Sequence, residues 1–215
     1  MIDRKSTGWK FSLTQLVFKK YTDSIGGDPN EFADILYNRF DVDCEDYSND
    51  DSYNDVTDYF IQKVVPHKIH VFNAGYELLA KPWIKNIDFD KEQFIDNLWL
   101  HDLSKFSKNE ALPYATHDFS KGDRSPAFAQ AWVHHKNSNP HHPEYWLNPS
   151  RSGVVDPLPM PDIYILEMFA DWIGAGRTYG GELETWLPKN FKSFTFHPET
   201  SFKVHLIANR LNINV

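Results

Sequence analysis

Residues 161–176 set the tightest limit on how this chain can fold. Pro161-Asp162 opens a helix through Ile163, Leu166, Phe169, Ala170 and Ile173, and Gly174-Ala175-Gly176 is expected to end it. The helix is apolar on nearly every side, so it lacks a solvent face and belongs at the centre of a helical assembly. Yet it carries two acids, Glu167 and Asp171, one turn apart and pointing the same way. Two carboxylates on one face of a buried helix are hard to satisfy without cations.

A second buried acid lies in Trp99-Leu100-His101-Asp102-Leu103-Ser104-Lys105-Phe106. Ile95, Leu98, Trp99, Leu103 and Phe106 recur at three- and four-residue steps, which predicts one helix with a buried face. Asp102 falls on that stripe, and His101 shares a turn with Lys105. A buried carboxylate is costly unless paired. The ordinary partner is an Arg or a helix N-terminus; the other is a metal ion held with further His and Asp residues.

The rest of the chain supplies them. His67 heads the stripe Val71, Ala74, Leu78, so its imidazole faces the same interior. His134-His135 and His141-His142 bracket Asn137–Pro140, with His135 on the face of Phe128, Ala131 and Trp132. Spacing gives little to choose between His141 and His142; His142 is taken as the ligand. A single cysteine, Cys44, rules out a thiolate-rich site, so any metal must be held by the ten histidines and the carboxylates. Imidazole and carboxylate donors suit one or two divalent transition ions: Mn, Fe, Co, Ni or Zn.

Across the 215 residues, 41% are hydrophobic and 15% aromatic, enough for a packed core. The net charge of −8 argues against a nucleic-acid partner. With no run of 18 apolar residues and no signal-peptide core, the expectation is a cytoplasmic protein without a membrane partner. Residues 1–50 read as an accessory helical region and acidic linker. They hold helices over Phe11–Tyr21 and through Phe32, Ile35, Leu36 and Phe40 (capped by Asp28 or Asn30), then an Asp-rich stretch from Asp41 to Asp55. Residues 51–215 read as the main helical domain. Its first stripe is Val56, Phe60, Val64, His67, Val71, Ala74, Leu78, kinked or restarted at Pro66. Asp90 begins a capping box, residues 107–124 form a polar connection, and Ser125-Pro126 opens another helix. The tail carries a short segment to Leu187 and an amphipathic helix of Phe202, Leu206, Ile207 and Leu211. Ser193–Phe196 is the best strand candidate in an otherwise all-α core.

The order His67, His101-Asp102, Asp171 on successive helices resembles the HD-domain metal-dependent phosphohydrolase superfamily. His67-Lys68-Ile69-His70-Val71 is similar to its first histidine helix, with Ala74 one place early. His101-Asp102-Leu103-Ser104-Lys105 resembles its His-Asp-(Ile/Leu)-(Gly/Ser)-Lys run, where the lysine lies near the substrate phosphate. The likeness covers about residues 60–180. The run Ala131–His135 to Pro140–Trp146, with Glu167–Trp172, looks like an uncharacterised bacterial and phage branch. No Gly-Tyr-Pro follows the histidine pair, unlike the cyclic-di-nucleotide phosphodiesterases.

The resemblance implies an HD-like helical bundle and a phosphohydrolase using metal-activated water on a nucleotide or other small phosphoester. The metal ligands would be His67, His101, Asp102 and Asp171, joined by His135 and His142 if two ions bind. Asp102, Lys105 and Glu167 would serve catalysis, and Lys105, Arg177 or Arg151 would neutralise phosphate. Trp146, like Tyr179, is a candidate for stacking on a base. Three other readings stand beside it: a diiron oxygenase using the same six ligands, a degenerate HD-fold binding protein, and an HNH-type nuclease built on His134-His135, Asn139 and His142. The nuclease would need a hairpin before a helix, whereas a helix precedes these histidines.

Overall fold

The computed structural model describes residues 17–40, 52–119, 125–149 and 155–215. Its helices are α1 (Lys19–Ile25), α2 (Pro29–Phe40), α3 (Ser52–Tyr59), α4 (Val65–Leu79), α5 (Lys91–Leu100), α6 (Ala111–Phe119), α7 (Pro126–Ser138), α8 (Asp162–Tyr179), α9 (Leu183–Asn190) and α10 (Pro198–Arg210). The protein is all-α, with one short antiparallel hairpin of β1 (Leu147–Pro149) and β2 (Val155–Pro157), in which Asn148 faces Asp156. No described helix is long and apolar enough to cross a membrane.

The chain forms two compact units: Met1–Ile69 with Asp102–His135, and His70–His101 with Lys136–Val215. The first gathers aromatic rings from distant segments. Phe18 lies 4.9 Å from Phe32 and 5.4 Å from Phe106, and Phe60 lies 4.6 Å from Phe106. Edge-on and tilted pairs of this kind add to the burial of large apolar surfaces. Lys68, fully buried, places its ammonium over the Tyr21 ring at 4.7 Å. The helices before residue 41 therefore share a core with Phe60 and Phe106. Asp28 caps α2 through a bond from the Asn30 N–H. The Asp-rich stretch lies outside the described residues up to position 51, as do residues 11–16 of the expected first helix.

The second unit is built around α8. Ile165 to Ala170 are six consecutive buried residues, as expected of a helix surrounded by others. It runs on to Tyr179, 18 residues in all, and does not stop at Gly174. Gly174 is instead a packing residue: a Cβ there would come within 2.5–2.9 Å of Val71, including its backbone N and Cα. The helix ends where Gly180 and Gly181 adopt φ of 88° and 133°.

The stripe from Val56 to Leu78 is buried at every position expected. The helix restarts at Val65, beside Pro66. The five residues before α4, Phe60–Val64, form a π-helical turn, and Pro66 sits in the first turn of α4, where a missing N–H is tolerated. Asp90 caps α5 by accepting from the Gln93 N–H at 3.0 Å, and Ser125 caps α7 by accepting from the Phe128 N–H at 3.1 Å.

Beyond the expected stop at Gly174, four more expectations fail. The helix through Phe106 stops at Leu100: Asp102 is left-handed (φ 55°), and Leu103–Phe106 is a 3-10 turn. Residues 111–119, read as a connection, are helical, because Ala111 and Ala115 are buried and Pro113 lies in a first turn that tolerates it. Ser193–Phe196 is no strand; Phe191–Ser193 is a 3-10 turn. On α10 the buried face is Thr200, Val204, Ile207 and Ala208, leaving Phe202 and Leu206 exposed.

Candidate metal centre

In the second unit, the break after Leu100 releases His101 from helical geometry, and its buried imidazole meets Glu167 of α8. Glu167 Oε1 lies 3.0 Å from His101 Nδ1 and 3.1 Å from His141 Nδ1, so one carboxylate oxygen accepts from two imidazoles. Asn97, one turn before His101, donates to the other oxygen at 3.2 Å. The imidazole rings have centroids 4.3 Å apart. Burial pushes the Glu167 carboxyl up, but the charge of and hydrogen bonds from His141 and His101 outweigh it and hold the group below its ordinary value.

An Nδ1–H committed to a carboxylate leaves Nε2 as the electron-pair donor of a neutral imidazole. Both such nitrogens face Asp171, one turn beyond Glu167: His101 Nε2 is 3.5 Å from Oδ1 and His141 Nε2 is 3.9 Å from Oδ2. Two donors each about 2.1 Å from a shared ion can be no more than about 4.2 Å apart, so each of these His–Asp pairs is close enough to share an ion. His142 joins the group: His141, His142 and Asp171 each offer a ligand atom within 4.8 Å of the others. Both members of the second histidine pair are therefore present, His141 buried and His142 partly so.

The first unit repeats the arrangement with different residues. Glu110 is buried and accepts from two imidazoles, His134 Nδ1 at 2.6 Å and His135 Nδ1 at 2.8 Å. Ser104 Oγ lies 3.3 Å from the same nitrogen of His135. His135 Nε2 then faces Asp102 Oδ1 at 3.4 Å, while His67 Nε2 approaches Asp102 Oδ2 at 3.5 Å. Asp102 also has a cation of the ordinary kind: the Lys105 ammonium is 2.8 Å from Oδ2. The buried acid that looked short of a partner is matched by a lysine three residues along.

His67, Asp102, Lys105 and His135 thus come together in one unit, and His101, His142, Glu167 and Asp171 in the other. Glu167 sits behind the imidazoles, on their Nδ1 atoms, on the side away from Asp171. Arg177 and Trp146 are engaged elsewhere. The Arg177 guanidinium makes a two-pronged ion pair with Glu77, at 2.9 and 2.7 Å, and holds that carboxyl below its ordinary value. Trp146 donates its indole N–H to the Pro140 carbonyl at 2.7 Å and packs on Tyr164. Arg151 lies outside the described residues. Sequence reasoning missed Glu110, and of the His141-His142 pair, between which spacing did not choose, it took His142 alone. The signal for Glu110 was the helical spacing of Ala111, Tyr114 and Ala115 just after it, which makes the preceding acid part of a buried turn.

What fold and clusters define is an all-α protein whose buried His, Asp and Glu groups could hold a metal ion. The chain belongs to DUF5662, a family of unknown function, whose model matches residues 57–210. No curated protein and no solved structure matches it.

Proposed function

We propose that the chain is a metal-dependent phosphohydrolase acting on a nucleotide or other small phosphoester. The observation that carries the metal reading is the single Glu167 oxygen that accepts from His101 and His141 and turns both Nε2 atoms toward Asp171. Orientation of this kind, by a carboxylate behind the ligands, is how proteins fix imidazoles for a metal. The phosphoester part of the reading comes from the likeness of His67, His101-Asp102-Leu103-Ser104-Lys105 and Asp171 to the HD superfamily.

In this reading His141, His142 and Asp171 hold an ion in one unit, with His101 beside Asp171, and His67, Asp102 and His135 supply donors in the other. A bound divalent ion supplies Lewis acidity for a phosphoryl oxygen and makes water a nucleophile near neutral pH. Glu167 and Glu110 are positioning residues that fix the imidazole tautomers. Lys105 balances the Asp102 charge, a role distinct from the phosphate contact its motif implies. The oxygenase alternative gains from the presence of both His141 and His142, which raises the number of imidazole donors.

Elemental analysis of the purified chain, paired with a screen of phosphorylated metabolites, tests the proposal. The expected result is a transition metal lost in His101→Ala, and phosphate released anaerobically with Mn, Co or Ni. Turnover requiring both iron and O2 would favour the oxygenase. A metal-free protein inert in both assays overturns both enzymatic readings and leaves a binding protein.

A further inference from the structure

We propose that the end of α8 and the first turns of α9 form a binding site for a small N-methylated ammonium ion. A cavity of about 240 Å³ opens there. Trp172 and Tyr179 from α8 and Trp186 from α9 line it. The Trp172 and Trp186 rings have centroids 5.6 Å apart and planes inclined at 56°, two walls of an open box. Tyr179 is 53% exposed and Trp186 40%, so large aromatic surface is left to solvent around a concavity.

Bare backbone also borders the cavity. Gly176, Gly180 and Gly181 line it, and a Cβ on Gly176 would lie 2.7 Å from the Gly181 carbonyl oxygen. Any larger residue at 176 would push into the turn that shapes the cavity.

Three features give the cavity a preference for positive charge. The faces of aromatic rings attract cations through their quadrupoles. Glu182, the acid among the lining residues, stands at the start of α9, and no Lys or Arg lines the cavity. It also lies at the C-terminal, negative end of the 18-residue helix α8. The basic residue of that last turn, Arg177, is held by Glu77 and is not among the lining residues. A compact hydrated cation would need several oxygen ligands, whereas one carboxylate among three aromatic rings suits an ion that sheds little water. Methyl groups on nitrogen provide that, spreading the charge over an apolar surface matched to the rings.

None of the histidine–carboxylate residues lines this cavity, so the proposal is independent of the phosphohydrolase reading. Isothermal titration of the full chain with choline and with tetramethylammonium tests it, against 3,3-dimethylbutan-1-ol, the uncharged analogue of choline's shape. The two cations should bind and the neutral analogue should bind on the order of tenfold more weakly. Glu182→Gln and Trp186→Ala should each weaken choline. Tyr179→Ala, at the most exposed wall, repeats the test without disturbing the Trp172–Trp186 packing, folding being checked by circular dichroism. Equal binding of the neutral analogue overturns the charge preference. No saturable heat at about 10 mM choline, or unchanged affinity in the folded Tyr179→Ala and Glu182→Gln chains, overturns the site.

Discussion

Glu110 Oε2 accepts from His135 Nδ1 at 2.8 Å, and the carboxylate reaches no solvent. Because its second oxygen accepts from His134 Nδ1 at 2.6 Å, both imidazoles are committed to the same acid. Glu110→Gln has one acceptor oxygen and an NH2 that must donate, so one imidazole loses its acceptor. The expected cost is about 2–3 kcal/mol for a buried, charge-assisted pair, read by urea denaturation. The 15N chemical shifts of His134 and His135 should show one of the two rings changing tautomer.

Glu167→Gln should act on metal more than on fold. The substitution keeps the volume and the one oxygen that meets both Nδ1–H groups of His101 and His141, but it removes the charge that strengthens those bonds and sets an NH2 against the Asn97 NH2. Metal affinity should fall by roughly 10–100-fold, measured by competition with a chelator, while the far-UV spectrum stays that of a helical protein. Affinity equal to the parent would show that the carboxylate does not orient the two rings.

Asp102 carries two separable burdens, a left-handed backbone and a carboxylate. Replacement by either Ala or Gly removes the carboxylate, but only Ala is penalised by φ 55°. Asp102→Gly should therefore be more stable than Asp102→Ala by about 1 kcal/mol. Chemical denaturation of the pair measures the backbone part alone.

Gly174→Ala should destabilise the chain by about 2–3 kcal/mol, the ordinary cost of overpacking a core. The added methyl meets the Val71 backbone, which cannot rotate away as a side chain could. Gly174→Ala combined with Val71→Ala should remain destabilised, since the backbone atoms stay in place; thermal melts of the single and double variants decide.

Arg177→Ala, by contrast, breaks an exposed ion pair with Glu77 and should change stability by less than about 1 kcal/mol. Metal content should stay at the parent level. A large loss of metal would place Arg177 in the site after all.

Much of this was readable from residue spacing, because periodicity and caps are local. The Val56–Leu78 stripe, the Asp90 and Ser125 caps and the central helix with its two acids all follow from contacts within a few residues. The ends of elements did not follow, since tertiary contacts decide them. Gly174 reads as a stop signal but is small to admit Val71, and the same residue type stops the helix only at Gly180. The helix after Glu110 was hidden by Pro113, which is harmless in a first turn. The histidines were visible as residue types, but which nitrogen each one commits to a glutamate is a matter of packing. Glu110 therefore stayed out of the candidate set, and Glu167 entered it for its place on the helix and not for its bonds to His101 and His141.

The left-handed turn at Asp102 narrows what evolution can do with that position. Left-handed backbone is comfortable for Gly, Asn and Asp and little else, and the carboxylate that meets Lys105, His67 and His135 removes the first two. Only one amino acid passes both filters, so Asp at 102 is fixed by geometry as firmly as by charge. His101-Asp102 is thus a break in the helix before it is a pair of candidate ligands.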